Sequence, residues 1–464
     1  MTVLDGSLAS PAVLSTRTGD NDFYGSLRAR APEIEMRYRS LTPRSEVLFG
    51  RAGGVFPGGY TRDAVVRKPY AAFVTEGHGS VLTDADGRSL IDFWFNATSL
   101  PLGHAHPKVV AAAERQLRKG TAYFAPTESE LALAELLIDR IPSAERIRFA
   151  NSGSEAVMMA VRFGRAFTGR PLIVKFEGSY HGSYDDVSWS VSPAPAKAGA
   201  DGAPVPVAES IGLGGIEGRL AVLPFNDTEA LRSFVEANHA RIGVLLIEPM
   251  ANRIGLLMPD TPFLEAARAL CDQYGIVLVF DEVIAFRIGY HGAQGVAGVT
   301  PDLTTLGKII GGGFPVGAIA GRRDILDLSS PFLAARVTHA GTFNANPMVT
   351  VAGFATMTEL TQEAFDRLGA MGALIRQRLA RICDGLPLQI TGSGSLFKVT
   401  ATGTSIRNYR DAATSDKAWE STASLALVSD GFLMTPTLSG TVSTVTTPEQ
   451  IDDFLAAFGH IIAL

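Results

Sequence analysis

The chain has 464 residues, with 41 Lys and Arg against 47 Asp and Glu, a formal charge of -6, and 46% hydrophobic residues. Its 48 glycines exceed the usual share of about 7%, but they follow no fixed period, which excludes collagen and low-complexity disorder. This charge balance provides no basic stripe for nucleic acid or anionic lipid, so small-molecule chemistry is the default expectation.

The first residues, MTVLDGSLAS, contain an acid at position 5 and neither a basic leader nor an apolar region. No apolar run approaches the ~20 residues of a membrane-spanning helix. We therefore expect a cytoplasmic protein without membrane contact. Cys271 and Cys383 stand singly in apolar helical stretches, without metal-ligand spacing, and are predicted to pack in the core.

Before residue 100, a charged helical segment over 22–49 leads to a turn at 56–59 and a hairpin over 72–93 that reverses at Asp86-Gly87. From about residue 130 to 320, short β-branched runs alternate with helical periods, which predicts βαβ units and a mainly parallel sheet. The predicted elements are a helix over 131–138, a strand over 146–149, a helix from the turn at 151–154 through 165, and strands over 172–176, 244–248, 276–281 and 303–306.

Residues 193–218 are rich in Pro, Gly and Ala and predict a long excursion, either a mobile lid or an inert surface loop. After it, a helix is predicted from about Pro347, a helix over 376–383, and strands over 388–400 that suggest a smaller α+β domain. We divide the chain into an N-terminal arm with part of the small domain (1–100), a large domain (101–363) and a C-terminal small domain (364–464).

Lys308 is the first candidate for chemistry, because it follows a strand and lies among apolar residues and glycines. Desolvation there would lower the pKa of the amine towards nucleophilic chemistry; a structural lysine is the alternative. Asp281 ends the most apolar strand and points into the crevice where parallel sheets bind ligands, although it could also cap a helix or bind a metal.

The turn Ser152-Gly153-Ser154 opens a helix whose free N–H groups suit a phosphate, with plain helix capping as the alternative. Gly341-Thr342, before the helix near Pro347, is a second possible phosphate donor. Tyr180-His181 follows a strand, where an aromatic ring could lie against a planar cofactor or simply pack.

Together these motifs resemble the class III aminotransferase family, pyridoxal-phosphate enzymes of fold type I, near the branch of glutamate-1-semialdehyde aminomutase and the β-amino-acid (β-phenylalanine) aminotransferases. The matching segments cover most of 55–350 and are PGGYTR (57–62), LGHAHP (102–107), NSGSEAVMMAVRFGRAFTGR (151–170), KFEGSYHG (175–182), IEP (247–249), DEV (281–283), PDLTTLGKIIGGGFPVGAIAG (301–321) and GTFNANP (341–347).

The resemblance implies an α/β fold in which residues 101–363 bind pyridoxal 5'-phosphate on a mainly parallel sheet. It implies that Lys308 forms the internal aldimine and carries the proton, and that Asp281 holds the pyridine nitrogen protonated. Tyr180 and Val283 would lie on the two faces of the ring. The other residues implied at the cofactor are Ser152, Gly153, Ser154, His181, Glu248, Gly341 and Thr342. The last two would serve the partner subunit, which implies a homodimer.

Arg62, in PGGYTR, is similar to the arginine that grips the substrate carboxylate in β-amino-acid relatives, with a surface arginine as the alternative. Arg407, Arg410 and Arg253 are candidates for a second such group. The segment from Met434 to Gly440 lacks the acidic residue expected near the substrate of the aminomutase.

The predicted function is an aminotransferase that moves an amino group between an amino acid, possibly an aromatic or apolar β-amino acid, and a 2-oxo acid by a ping-pong mechanism. The first alternative is an intramolecular aminomutase of the glutamate-1-semialdehyde type. The second is a non-catalytic binding protein that keeps the fold.

Overall fold

The computed structural model describes residues 23–464, so the prediction for the first 22 residues lies outside the described part. The helices are α1 (Phe23–Ala29), α2 (Ala31–Leu41), α3 (Pro43–Ala52), the single turn α4 (Phe95–Thr98), α5 (Pro107–Leu117), α6 (Glu128–Arg140), α7 (Gly153–Thr168), α8 (Thr228–Asn238), α9 (Thr261–Tyr274), α10 (Gly292–Ala297), α11 (Arg323–Leu326), α12 (Pro347–Glu359), α13 (Gln362–Ile382), α14 (Tyr409–Ala413), α15 (Lys417–Ser429) and α16 (Pro448–Ile462).

The strands form four sheets. They are β1 (Val74–His78), β2 (Val81–Asp84), β3 (Ser89–Asp92), β4 (Arg146–Ala150), β5 (Leu172–Phe176), β6 (Gly199–Ala200), β7 (Ala203–Pro204), β8 (Leu220–Leu223), β9 (Ile242–Ile247), β10 (Val277–Asp281), β11 (Leu303–Gly307), β12 (Gly317–Gly321), β13 (Gln389–Thr391), β14 (Leu396–Thr400), β15 (Phe432–Leu433) and β16 (Ser439–Thr441).

The central sheet has seven strands in the order β4-β12-β11-β10-β9-β5-β8. Strands β8, β5, β9, β10 and β11 run parallel, whereas β12 is antiparallel to both of its neighbours. Every residue of β5, β9, β10 and β11 is buried. Such burial on both faces is typical of a parallel sheet covered by helices, and the predicted α/β fold with a mainly parallel sheet is confirmed.

The long helix α7 begins and ends at residues that suit those positions. The side chain of Ser152 accepts the backbone N–H of Glu155, and Gly169 closes the helix with a left-handed φ of 68°. The inner face of α7 is buried against the central sheet. This packing fixes the N-terminus of the helix at the edge where the parallel strands end.

Smaller sheets surround the central one. The predicted turn at Asp86-Gly87 joins β2 to β3, and a second reversal between β1 and β2 was not predicted. Strand β15 adds in parallel to β3, so residues from near both ends of the described chain share one sheet. The predicted division into three segments, with boundaries after residues 100 and 363, remains a prediction. Within 23–464, no helix is both long and apolar enough to cross a bilayer.

The two predicted core cysteines are buried. Cys383 belongs to the core cluster of the helices α13, α15 and α16, and Cys271 to the cluster beneath β5, β9 and β10. Burial raises the pKa of both thiols, which leaves them protonated and unreactive at neutral pH.

Candidate active site

The candidate site lies where three neighbouring parallel strands end. Glu248 follows β9, Asp281 is the last residue of β10, and Lys308 directly follows β11. Because these strands are parallel neighbours, their carboxyl ends meet at one edge of the sheet. The structure therefore brings the predicted lysine and the predicted carboxylate to one crevice.

Asp281 is almost fully buried and is held by three hydrogen bonds. Its Oδ2 lies 2.9 Å from Nδ1 of His181, and its Oδ1 accepts from Thr305 Oγ1 at 3.1 Å and from the Val283 N–H at 3.2 Å. An ionised carboxylate offers about four acceptor positions. Three are filled by the chain, so one acceptor position of Asp281 remains for a further donor.

Lys308 is half-buried and has a left-handed backbone, with φ at 49°. Such a conformation is uncommon for a side-chain-bearing residue, and strained residues of this kind cluster at active sites. Burial lowers the pKa of the Lys308 amine, while the charges of Asp281 and Glu248 oppose that shift. The lysine therefore carries a neutral, nucleophilic amine at a lower pH than an exposed lysine does.

The turn Asn151–Ser154 lies at the N-terminus of α7, as predicted. Ser152 caps the helix, and the Glu155 carboxylate accepts the Asn151 N–H at 2.8 Å. The N–H groups of Gly153 and Ser154 stand in the first turn, where no helix carbonyl reaches them. This geometry provides a site for an anion at the positive end of a 16-residue helix.

Val283 connects the turn to the lysine strand. A Cβ built on Gly153 would lie 2.8 Å from Val283 Cγ1, and one built on Gly307 would lie 3.2 Å from the same atom. The Val283 side chain thus lies against the backbone of the turn and beside the residue that precedes Lys308. The structure places Val283 within the predicted site, between the turn and the lysine.

Tyr180 and His181 lie on a loop that closes the other side of the site. The Tyr180 N–H donates to Glu248 Oε2 at 3.0 Å, and His181 is fully buried on Asp281. Burial and the charge of Asp281 raise the pKa of Glu248 to about 8, against the stabilising N–H groups of Tyr180 and Asn252. Burial also lowers the pKa of His181. These three residues join the loop to the ends of β9 and β10.

The remaining predicted residues lie at the surface. Gly341 and Thr342 are exposed on a turn whose Asn344 accepts a hydrogen bond from Asn151 at 2.9 Å. They are therefore close to the turn at Ser152 of their own chain. That Gly341 and Thr342 bind the cofactor of a partner subunit remains a prediction. Arg62 is exposed beyond the turn at 57–59, so its role as a carboxylate ligand also remains a prediction.

Sequence reasoning missed two residues that shape the site. Thr305 faces Asp281 across the parallel pair and donates to it. Lys175 is fully buried in β5 and donates to the carbonyls of Ser179, Val187 and Trp189. These hydrogen bonds join the segments that precede and follow Tyr180. A lysine inside the apolar run Leu-Ile-Val-Lys-Phe was the signal that would have identified it.

The model of the family described as Aminotransferase class-III matches residues 63–462. The chain belongs to this family. A glutamate-1-semialdehyde 2,1-aminomutase of Methanothermobacter thermautotrophicus is 44% identical to this class III chain over 376 residues, 80% of the chain and 87% of that protein. Other curated relatives bear the same name. These names favour the aminomutase alternative over the aminotransferase prediction.

Solved structures of the same fold bear several names, among them glutamate-1-semialdehyde aminomutase at 24% identity. An omega-transaminase from Sphaerobacter thermophilus is 42% identical to this chain, with a TM-score of 0.88. The match covers 90% of this chain and 97% of the transaminase chain. A β-phenylalanine aminotransferase from Variovorax paradoxus is 32% identical to this chain, with a TM-score of 0.86. The match covers 94% of this chain and 97% of that aminotransferase. The predicted fold type I is confirmed, and the chain is an enzyme of this family.

Pyridoxal phosphate is the cofactor of the class III family, and the residues present fit it. The unfilled acceptor position of Asp281 suits a protonated ring nitrogen, and the first turn of α7 suits the phosphate. Among the described residues, no acceptor is recorded for the Lys308 amine, and Nε2 of the buried His181 has no partner. These unpaired groups at one edge of the sheet fit a polar, planar ligand between the turn and Tyr180.

Proposed function

We propose that the protein is an aminotransferase that moves an amino group from an amino acid to a 2-oxo acid. An aromatic or apolar β-amino acid is the donor class that we favour. The observation that carries the proposal is the juxtaposition of Lys308, Asp281 and the turn at Ser152 in a chain that resembles an omega-transaminase over nearly its whole length. The β-phenylalanine enzyme among the solved relatives supports the donor class.

Each residue has a chemical task in this proposal. Bound pyridoxal phosphate supplies a carbonyl that accepts the amino group and a ring that withdraws electrons. Asp281 keeps a proton on the ring nitrogen through its free acceptor position. Lys308, whose pKa is lowered by burial, takes the proton from the substrate carbon that carries the amino group and later returns it. Tyr180 and Val283 exclude water from the two faces of the ring.

Two neighbouring residues attach the excursion over 193–218 to the rest of the molecule. Arg410 joins it to the rest of the molecule by hydrogen bonds to the carbonyls of Pro195, Ala198 and Gly199. Tyr409 donates to the carbonyl of Pro193 at 2.8 Å. Arg410 also pairs with Glu177, so these contacts attach the excursion beside the loop that carries Tyr180.

The second candidate function is the intramolecular aminomutase, which the names of the curated relatives favour. In that reaction one molecule gains an amino group at one carbon and gives up the amino group of the neighbouring carbon, so no 2-oxo acid is consumed. The segment from Met434 to Gly440 does not contain the acid that the resemblance associates with the aminomutase substrate. That absence supports the aminotransferase over the aminomutase.

One experiment separates the two functions. Protein converted to the pyridoxamine form is mixed with glutamate-1-semialdehyde, and separately protein in the pyridoxal form is mixed with β-phenylalanine, each with and without 2-oxoglutarate. With β-phenylalanine, a transaminase stops after one equivalent unless 2-oxoglutarate is added. Multiple turnovers of glutamate-1-semialdehyde without any 2-oxo acid would instead establish the mutase.

We also propose the homodimer that the resemblance implies. Support comes from apolar side chains exposed near Thr342 along the chain and on α12, among them Phe332, Phe343 and Phe354. Soluble monomers rarely expose many large apolar side chains together. Light scattering after size exclusion is expected to give twice the mass of the chain, and a monomer with full activity would contradict this proposal.

A further inference from the structure

We propose that Arg253 binds the substrate carboxylate and so selects amino acids over simple amines. The inference rests on the proposed function, since both the donor and the 2-oxo acid acceptor carry a carboxylate. Arg253 lies directly against Tyr180, whose ring is predicted to border the cofactor.

The position of Arg253 is defined by two contacts. Its Cζ lies 5.1 Å from the centroid of the Tyr180 ring, and one Nη donates to Ser192 Oγ at 3.0 Å. Stacking on an aromatic face and a single hydrogen bond hold the guanidinium in one orientation with little loss of hydration. Arg253 is therefore an ordered side chain at the opening of the site, although it is exposed.

The guanidinium retains donors for a ligand. Within the described residues, Arg253 forms no ion pair, and only one of its nitrogens has a recorded acceptor. Glu209 also contacts Ser192, since it accepts the Ser192 N–H at 3.2 Å. It forms no ion pair with Arg253. A guanidinium has five N–H donors in a planar fork, so a carboxylate can still bind to it in bidentate geometry.

The other candidate arginines near the loop are already engaged. Arg410 donates to Glu177 at 2.6 Å and to Asp201 at 3.2 Å, and it also holds three carbonyls of the excursion. Arg407 lies 3.5 Å from the carboxylate of Asp411. Both of these arginines already pair with an acid of the chain, whereas Arg253 pairs with none among the described residues.

Arg287, in the segment Asp281–Arg287, is also unavailable. It is fully buried, and its three nitrogens donate to Ser395 Oγ, the carbonyl of Thr98 and the carbonyl of Val442. Burial lowers its pKa to about 9. Arg287 thus connects distant segments of the chain. Of the arginines considered, Arg253 is the one that has unfilled donors beside Tyr180.

The test compares a carboxylate ligand with its amine analogue on the cofactor-loaded protein. Binding of 3-phenylpropanoate is measured by calorimetry, and KM and kcat are measured for β-phenylalanine and for 1-phenylethylamine, which lacks the carboxylate. The variants are Arg253→Gln, Arg253→Lys and Arg62→Gln, with Arg232→Gln on the exposed side of α8 as the matched surface control.

Arg253→Gln is expected to raise the Kd of 3-phenylpropanoate and the KM of β-phenylalanine by about tenfold or more, the effect of losing a charge-assisted hydrogen bond. Its kcat for β-phenylalanine and its KM for 1-phenylethylamine are expected to stay within about twofold of wild type. Arg253→Lys is expected to fall between wild type and Arg253→Gln, and Arg232→Gln to match wild type.

An unchanged Kd in Arg253→Gln, or a loss confined to Arg62→Gln, would overturn the inference. A wild-type protein that does not bind 3-phenylpropanoate would overturn it as well. Failure of the proposed function gives a different pattern, because the calorimetric comparison needs no turnover. If no donor is transaminated while the Kd still depends on Arg253, the carboxylate site stands and the reaction assignment falls.

Discussion

Gly317 is the most informative position for testing the geometry of the phosphate turn. It begins β12 and lies opposite Ala150 at the end of β4, one residue before the turn. A Cβ built on Gly317 would lie against the carbonyl oxygen of Ser152, 2.5 Å from its carbonyl carbon and 3.2 Å from the Gly153 nitrogen. Both partners are backbone atoms of the turn, so no side-chain rotation can relieve the contact.

The size of the effect follows from that overlap. Ordinary carbon contacts lie at ~3.5–4.0 Å, so Gly317→Ala must displace the turn at Ser152 or strand β12 by about 1 Å. Overpacking of this kind costs about 1–3 kcal/mol. If most of the displacement falls on the turn, the N–H groups of Gly153 and Ser154 move from the phosphate, and cofactor affinity falls by about tenfold to a hundredfold.

The assay is titration of the apoprotein with pyridoxal phosphate, followed by absorbance, together with thermal unfolding of the apoprotein. Gly369→Ala is the matched control, because Gly369 lies in α13 and a Cβ there meets no atom within 4 Å. The control is expected to bind cofactor normally and to gain up to about 1 kcal/mol of stability. Wild-type affinity and stability in Gly317→Ala would refute the close approach of β12 to the turn.

Three further changes test the site directly. Lys308→Ala is expected to lower kcat/KM by at least about 10³-fold, the effect of removing a positioned base, and its cofactor is expected to leave on dialysis that wild type withstands. Asp281→Asn removes the charge beside the ring nitrogen and is expected to lower kcat/KM by about 10²-fold or more; near-normal turnover would contradict that role. The pKa of Glu248 is raised to about 8 in the folded protein, above its value in the unfolded chain. Protonation of Glu248 therefore stabilises the fold fully below about pH 4.5. That stabilisation is lost as the pH rises through 8. Urea unfolding of Glu248→Gln is therefore expected to match wild type near pH 4 and to show greater stability than wild type near pH 9, and a pH-independent difference would contradict it.

The elements that position the chemistry were predictable because their residues carry strong local signals. The strand that ends at Asp281 is a continuous apolar run before its carboxylate, and the helix after Ser152 begins with a capping residue and two small residues. Hydrophobic periodicity and capping depend on near neighbours in sequence. These signals located the predicted lysine, carboxylate and phosphate turn without any tertiary information.

Strand β12 could not be predicted in the same way. Its sequence, Gly-Ala-Ile-Ala-Gly, has a low β propensity, and its two glycines suggest a loop. It forms a strand because it fills the gap between β4 and β11, where only small residues fit against the turn at Ser152. The tertiary environment overrides the local preference at that position.

Side-chain partners were equally beyond sequence reasoning. The sequence offered Arg253, Arg407 and Arg410 as equivalent candidates for a carboxylate ligand. The structure distinguishes them, because Arg410 and Arg407 already contact acids whereas Arg253 stacks on Tyr180. Such assignments depend on residues far apart in the chain, and no local pattern records them.

Three strand pairings link the carboxylate, the residue before the lysine and the residue before the phosphate turn. Asp281 lies opposite Thr305 on β11, Gly307 lies opposite Gly317 on β12, and Gly317 lies opposite Ala150 on β4. A slip by one residue in any of these pairs would turn the side chains of that strand to the other face. It would therefore remove the Thr305 bond from Asp281, or place a larger residue against Ser152. The glycines at 307 and 317 thus do more than permit close packing, since they allow only the register in which the lysine, the carboxylate and the phosphate turn face one crevice.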